Sequence, residues 1–260
     1  MPSVSTRQHW IDTPRGQLFA QCWNPGREQG VPLVLLHDSL GCVSLWRDFP
    51  ERLALASGRR VVAYDRLGFG RSAARSGLPP TCFVEDEAQG DFQAVCHTLG
   101  IERFVVFGHS VGGGMAIGCA AAHPQGCEAV ISESAQAFVE QRTRDGIRQA
   151  QRQFAEPGQL QRLHKYHGDK ATWVLRAWTD TWLDAAFGHW TLDPQLARVQ
   201  CPLLVLHGDC DEYGSLLHPE RIAAGTGGPA WVHVFAGCGH VPHRENPHGV
   251  LEQVLGFLSR

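Results

Sequence analysis

Three stretches of this 260-residue chain carry a hydroxyl, a carboxylate and an imidazole in that chain order, the groups that nucleophilic acyl transfer requires. In "VFGHSVGGG" (106–114), Ser110 sits among four glycines and a histidine, directly after a run of branched apolar residues. G-x-S-x-G in a strand-to-helix turn forces the serine backbone into strain and holds its Oγ out at the end of the strand. Gly108 and Gly112 remove side chains that would collide where strand and helix meet.

A serine hydroxyl is a poor nucleophile without a base, and the base needs a carboxylate to orient it. "GCGHVPHRENP" (237–247) supplies His240 in a Gly-flanked loop after the last apolar run, with His243 read as a neighbour that packs or caps near Glu245 and Asn246. "LLVLHGDCDEYGS" (203–215) offers Asp209, Asp211 and Glu212. Asp211 is chosen because such loops place the acid a few residues beyond the strand-ending Gly208. Asp209 is then a turn residue bonding its own backbone, though it stays an alternative acid. Glu133, in "SES", stands at the same sheet edge and is the other alternative. Oxyanion donors are expected from the backbone N–H of Val111, at the start of the following helix, and of Ser39 in "HDSLGCVSLW" (37–46).

These groups need a frame. "VPLVLLH", "RVVAYD", "RFVVFG", "CEAVIS", "CPLLVLHG" and "AWVHVFAG" are short apolar runs bounded by Gly, Pro, Asp or His. They predict buried parallel strands. Helical patterns at 43–57 and 84–99 lie between them, so the unit is strand–helix–strand. The stretch "HWIDTPRGQLFAQCW" predicts a hairpin around Pro14–Gly16, with antiparallel strands at one edge. From 135 to 198 the strand rhythm stops, and a Trp-rich helical segment predicts an inserted cap on a core of residues 1–134 and 199–260. Trp46, Trp173, Trp178, Trp182 and Trp190 are candidates for an apolar or aromatic pocket, as are His37, Asp38 and His109 beside the reacting groups. His164, Lys165 and His167 read as a solvated face.

Composition narrows the partners. With 23 Lys and Arg against 26 Asp and Glu, there is no basic stripe for a phosphate backbone, and nucleic acid is not expected. The absence of an apolar leader or an eighteen-residue apolar run predicts a cytoplasmic protein without a membrane partner. Nine cysteines without C-x-x-C spacing argue against a disulfide framework and against a zinc site. Cys210 and Cys238 are read as packing residues. No metal is expected, and a homodimer has no specific signal.

Taken together, the loop at 37–46, "DRLGFGRS" (65–72), "GHSVGG", "HGDCDE" and "GCGHVPHRENP" resemble the α/β-hydrolase superfamily in order and rough spacing. The resemblance implies a mostly parallel eight-stranded sheet with helices on both faces and a helical cap after the sixth strand. It implies a Ser110–His240–Asp211 triad with Ser39 and Val111 as oxyanion hole, no cofactor, and a backbone-shaping role for Asp65, Gly68, Gly70 and Ser72. Carboxylesterases and enol-lactone hydrolases are the branch it looks most like, giving hydrolysis of a small apolar or aromatic ester, lactone or related acyl compound. A carbon–carbon bond hydrolase or cofactor-free lyase or oxygenase, and a non-catalytic ligand binder, are the alternatives on the same fold. The sequence departs at one point: His37-Asp38 stands where the family commonly has His-Gly. A carboxylate pointing inward there would oppose a developing oxyanion.

Overall fold

Each apolar run expected to form a strand does so, but the last, "AWVHVFAG", is an edge strand with Val232 and Val234 exposed rather than a buried one. In the other five the alternation of side chains explains how both faces are covered. The computed structural model describes residues 4–26 and 28–260. The strands are β1 (Val4–Ile11), β2 (Leu18–Pro25), β3 (Leu33–Leu36), β4 (Val61–Tyr64), β5 (Phe104–His109), β6 (Cys127–Glu133), β7 (Leu203–Gly208) and β8 (Ala230–Phe235). They form one sheet in the order β1-β2-β4-β3-β5-β6-β7-β8. β1 and β2 make the predicted hairpin, and β2 pairs antiparallel with β4. All the other pairings are parallel.

Side chains of β3 show the two-sided burial. Val34 and Leu36 enter one apolar layer with Val106, Val130 and Val205. Leu33 and Leu35 enter the other with Phe107, Ile131 and Leu206. The first layer lies under α3 (Asp91–Thr98) and α4 (Val111–Ala122), the second under α1 (Phe49–Ser57) and α11 (Pro247–Leu258).

Two predicted helices are interrupted. The 43–57 pattern divides into a 3₁₀ turn, Val43–Trp46, and α1, because Arg47 turns to φ 55° and Pro50 opens the new helix. The 84–99 pattern divides into α2 (Phe83–Asp86), a 3₁₀ turn and α3, with Gly90 at φ −102°, ψ −110° between the last two. Between β6 and β7 the chain is helical, comprising α5 (Gln141–Ala155), α6 (Gln159–His167), α7 (Ala171–Leu183) and α8 (Asp193–Leu196). An antiparallel bridge, Phe138 to Thr191, with Leu192 N–H donating to Ala137 O at 2.8 Å, ties the two sides of that segment together. After β7 and β8 come α9 (Leu217–Gly225) and α10 (Pro242–Glu245). No helix among the described residues is long and apolar enough to cross a membrane.

Candidate active site

Strand β5 ends at His109 and α4 begins at Val111, so Ser110 alone turns the chain, at φ 57° and ψ −125°. A non-glycine residue there is strained by on the order of 1–3 kcal/mol. The surroundings hold it: Ser110 N–H donates to Glu133 O at 2.8 Å, and Gly113 N–H donates to Ser110 O at 2.8 Å. The flanking glycines are a packing requirement. A Cβ on Gly108 would lie 1.9 Å from Gly112 O, and one on Gly112 would lie 2.2 Å from Leu36 O. This close approach brings the loop after β3, with Ser39, beside the N-terminus of α4. Ser39 and Val111 line one small cavity.

His240, between β8 and α10, places Nε2 2.9 Å from Ser110 Oγ and Nδ1 2.8 and 2.9 Å from the two carboxylate oxygens of Asp211. With the Nδ1 proton donated to Asp211, Nε2 is left to accept from the serine hydroxyl. Asp211 is fully buried, and its Oδ1 also accepts from the amides of Tyr213 (2.7 Å) and Gly214 (3.1 Å). Burial pushes the Asp211 carboxyl up, but the His240 charge and hydrogen bond and the Tyr213 amide hold it below its ordinary value.

A family model described as the alpha/beta hydrolase family matches residues 33–253. The chain belongs to this family. Among relatives, the alpha/beta hydrolase is 27% identical to 2-hydroxy-6-oxononadienedioate/2-hydroxy-6-oxononatrienedioate hydrolase 2 of Pseudomonas putida, over 94% of this chain and 93% of that protein. Its fold is similar to that of proline iminopeptidase from Mycobacterium smegmatis, with a TM-score of 0.75, 23% identity and coverage of 97% and 98%. It is also similar to that of naproxen esterase from Bacillus subtilis, with a TM-score of 0.75, 21% identity and coverage of 98% and 92%.

Around the serine, the hydrolase holds an ionic cluster in which His109 is buried and Asp38 half-buried. Asp38 does not oppose the oxyanion position alone: Oδ2 lies 3.4 Å from His109 Nδ1, and Oδ1 accepts from Leu40 N–H at 2.8 Å. Burial disfavours the charged carboxylate, yet the His109 hydrogen bond and charge, with the Leu40 amide, hold Asp38 well below the usual carboxylate range. Burial would likewise lower His109, but Asp38 and the Glu133 charge outweigh it and raise it. His109 Nε2 in turn donates to His240 O at 2.8 Å, fixing the loop that carries His240.

Glu133 is a partner of His243 rather than of His240. Its Oε2 is 2.5 Å from His243 Nδ1, and its Oε1 accepts from His243 N–H at 2.8 Å. Both side chains are buried, and of the two roles expected of His243, packing or capping near Glu245 and Asn246, it takes packing, though against Trp46 and Phe49. Burial lowers the His243 imidazole, and the hydrogen bonds from its ring and its amide hold the Glu133 carboxyl below its ordinary value against burial. Ligand-type atoms of His109, Glu133 and His243 fall within 4.8 Å of one another, but the pair of shortest contact is a hydrogen bond.

The remaining pocket candidates divide. Asp38, His109, Trp178 and Trp182 line a cleft of about 390 Å³ that contains Ser110 and His240. Trp46 does not line it: the 3₁₀ turn directs this ring inward against Phe49, Phe107 and His243. His37 is also buried away from the cleft, donating Nδ1–H to Asp38 O at 2.8 Å and accepting from Arg66 N–H at 3.2 Å. Trp173 leans on Phe69 and Trp190 on Phe187. Asp209 does not bond its own backbone, because its Oδ1 reaches across to Gly237 N–H at 2.7 Å. Cys238 is buried, whereas Cys210 is exposed and fills no core.

Sequence reasoning missed other members. His167, read as solvated, is buried and joins α6 to the floor of the site, accepting from Gly70 N–H at 2.9 Å and donating to Leu40 O at 3.0 Å. Tyr213 stands edge-on to the His240 ring at 4.8 Å between centroids, and Arg47, Arg162 and Arg244 line the cleft. Tyr213 had a signal, lying two residues beyond the acid.

Proposed function

We propose that the protein is a serine hydrolase of small esters, lactones or related acyl compounds. The observation that carries this reading is the unbroken chain of hydrogen bonds from Ser110 Oγ through His240 to Asp211, at 2.9 and 2.8 Å, opening on a cleft. Ser110 Oγ attacks the acyl carbon while His240 Nε2 takes its proton. Asp211 stabilises the resulting imidazolium, and the Ser39 and Val111 amides receive the oxyanion. His240 then protonates the leaving oxygen, which departs and leaves the acyl group on Ser110. Water, deprotonated by His240, attacks that acyl carbon and releases the acid and free serine. In this reading residues 135–198 act as a lid that shapes the acyl pocket through Trp178 and Trp182.

Treatment with a fluorophosphonate, read by intact mass, tests it. One stoichiometric adduct on the wild type, absent from Ser110→Ala and His240→Ala, is the expected result. A folded wild type that stays unlabelled overturns the reading.

Hydrolysis of a carbon–carbon bond is the second reading, favoured by the near full-length similarity to the Pseudomonas putida dienedioate hydrolase. There a vinylogous diketo acid panel would be turned over, with His240→Ala losing far more than Ser110→Ala.

A further inference from the structure

The cleft beside Ser110 carries three guanidinium groups from three separate elements. Arg47 follows the 3₁₀ turn after the oxyanion loop, Arg162 lies on α6, and Arg244 lies on α10, four residues beyond His240. Among the described residues, none of the three has a carboxylate within ion-pairing distance. The cleft's one carboxylate, Asp38, is turned onto His109 and the Leu40 amide. The rest of the lining is largely apolar, with Leu45, Ile147, Leu163, Trp178 and Trp182. Cations without counter-ions beside low-dielectric walls give the cleft a positive field.

Arg47 and Arg162 are exposed and Arg244 is half-buried, and two details set them apart from other surface arginines. Arg47 holds φ 55°, ψ −126°, the same left-handed strained backbone as Ser110. Strain of this kind in a residue other than glycine gathers at functional positions. Arg244 is anchored by a bond from its guanidinium to Leu45 O, while its Nε is buried with no partner. The anchored side chain lines the cleft, and a guanidinium fork suits a carboxylate.

We infer that the substrate is an acyl compound with an apolar body and a free carboxylate, which Arg244 and Arg47 bind while its acyl carbon lies over Ser110. Arg162, on α6, adds a third positive charge to the same cleft. This rests on the serine hydrolase reading for the chemistry, but not for the binding.

The test therefore has a binding arm and a turnover arm. In the first, calorimetry on Ser110→Ala compares pimelic acid monoamide with heptanamide, the neutral isostere. The anionic amide should bind at least about tenfold tighter at low salt, as one retained charge-assisted contact would give. The advantage should shrink as salt is raised and be lost in Ser110→Ala combined with Arg47→Gln and Arg244→Gln. In the second arm, mono-p-nitrophenyl pimelate and p-nitrophenyl heptanoate are compared on the wild type after subtraction of enzyme-free hydrolysis, and the ratio of kcat/KM should favour the anion by a similar factor. Equal binding of the two amides, or an advantage that survives both arginine substitutions, overturns the inference. Hydrolysis of neither ester alongside selective binding of the anionic amide overturns the hydrolase reading and leaves the carboxylate seat standing.

Discussion

Asp38 Oδ2 lies 3.4 Å from Nδ1 of His109, so the residue beside the nucleophile carries its own counter-ion. The two charges compensate each other. In Asp38→Asn the imidazole loses its main support and drops toward neutrality, so the net charge beside the oxyanion changes little. Turnover of an activated ester should fall by less than about threefold, whereas His109→Gln, which leaves Asp38 uncompensated, should lose about ten- to hundredfold. Steady-state kinetics check the pair, and NMR titration of His109 in Asp38→Asn should show its pKa shifted down.

The two buried carboxylates at the sheet edge take different partners, Asp211 contacting His240 and Glu133 contacting His243. Asp211→Asn removes the acceptor that fixes the His240 tautomer and should cost about 10⁴-fold in kcat with little change in melting temperature. Glu133→Ala breaks the buried contact to His243 instead, and should destabilise the fold by about 3 kcal/mol, read by urea titration. A catalytic loss in the second variant that exceeds its loss of folded protein would show the assignment to be wrong.

Gly112→Ala tests the approach of the oxyanion loop to α4. The added methyl meets the Leu36 carbonyl at 2.2 Å, a backbone atom that has no rotamer to change. Destabilisation of about 3 kcal/mol or more, or failure to fold, is expected; Gly100→Ala, where nothing lies within 4 Å but φ is +63°, should cost about 1 kcal/mol.

Stability should fall as pH rises from about 4.5 to about 7, through Glu87. This buried side chain accepts from Tyr64 Oη–H at 2.5 Å, and burial with the nearby Asp91 charge pushes its carboxyl from 4.5 up to about 7. Across that window the folded state binds the proton that the unfolded state has released, so folding loses free energy as pH increases, on the order of 3 kcal/mol in total. Glu87→Gln should flatten this slope in denaturant titrations between pH 4.5 and 7.5, and an unchanged slope would contradict the protonation state.

What the sequence revealed follows from how strongly each residue is constrained. A strand covered on both faces must be apolar throughout, so "LVLL" and "VVAY" declare themselves without any structure. Backbone strain at Ser110 demands glycine neighbours, and those are visible too. Asp211 could be separated from Asp209 only by loop habit, since both sit beyond the same strand and one residue decides which reaches His240. Trp46 was misread because its position after the oxyanion loop suggests exposure to the cleft, while a 3₁₀ turn rotates the ring under His243. Arg162 gave no signal at all: in "QLQRLHKYH" its polarity fits solvent as well as a cleft wall, and only the placing of α6 distinguishes them.

The contact between Ser110 and His240 spans 130 positions of the chain. During synthesis Ser110 therefore emerges long before His240, and β7 and β8 must join the sheet before the two can meet. Until then the elbow holds an ordinary alcohol, harmless to acyl compounds it encounters. On the proposed serine hydrolase reading, catalytic competence is consequently a late event in the life of each molecule. In a refolding experiment, recovery of turnover would report the docking of the C-terminal third, while helix content would return earlier.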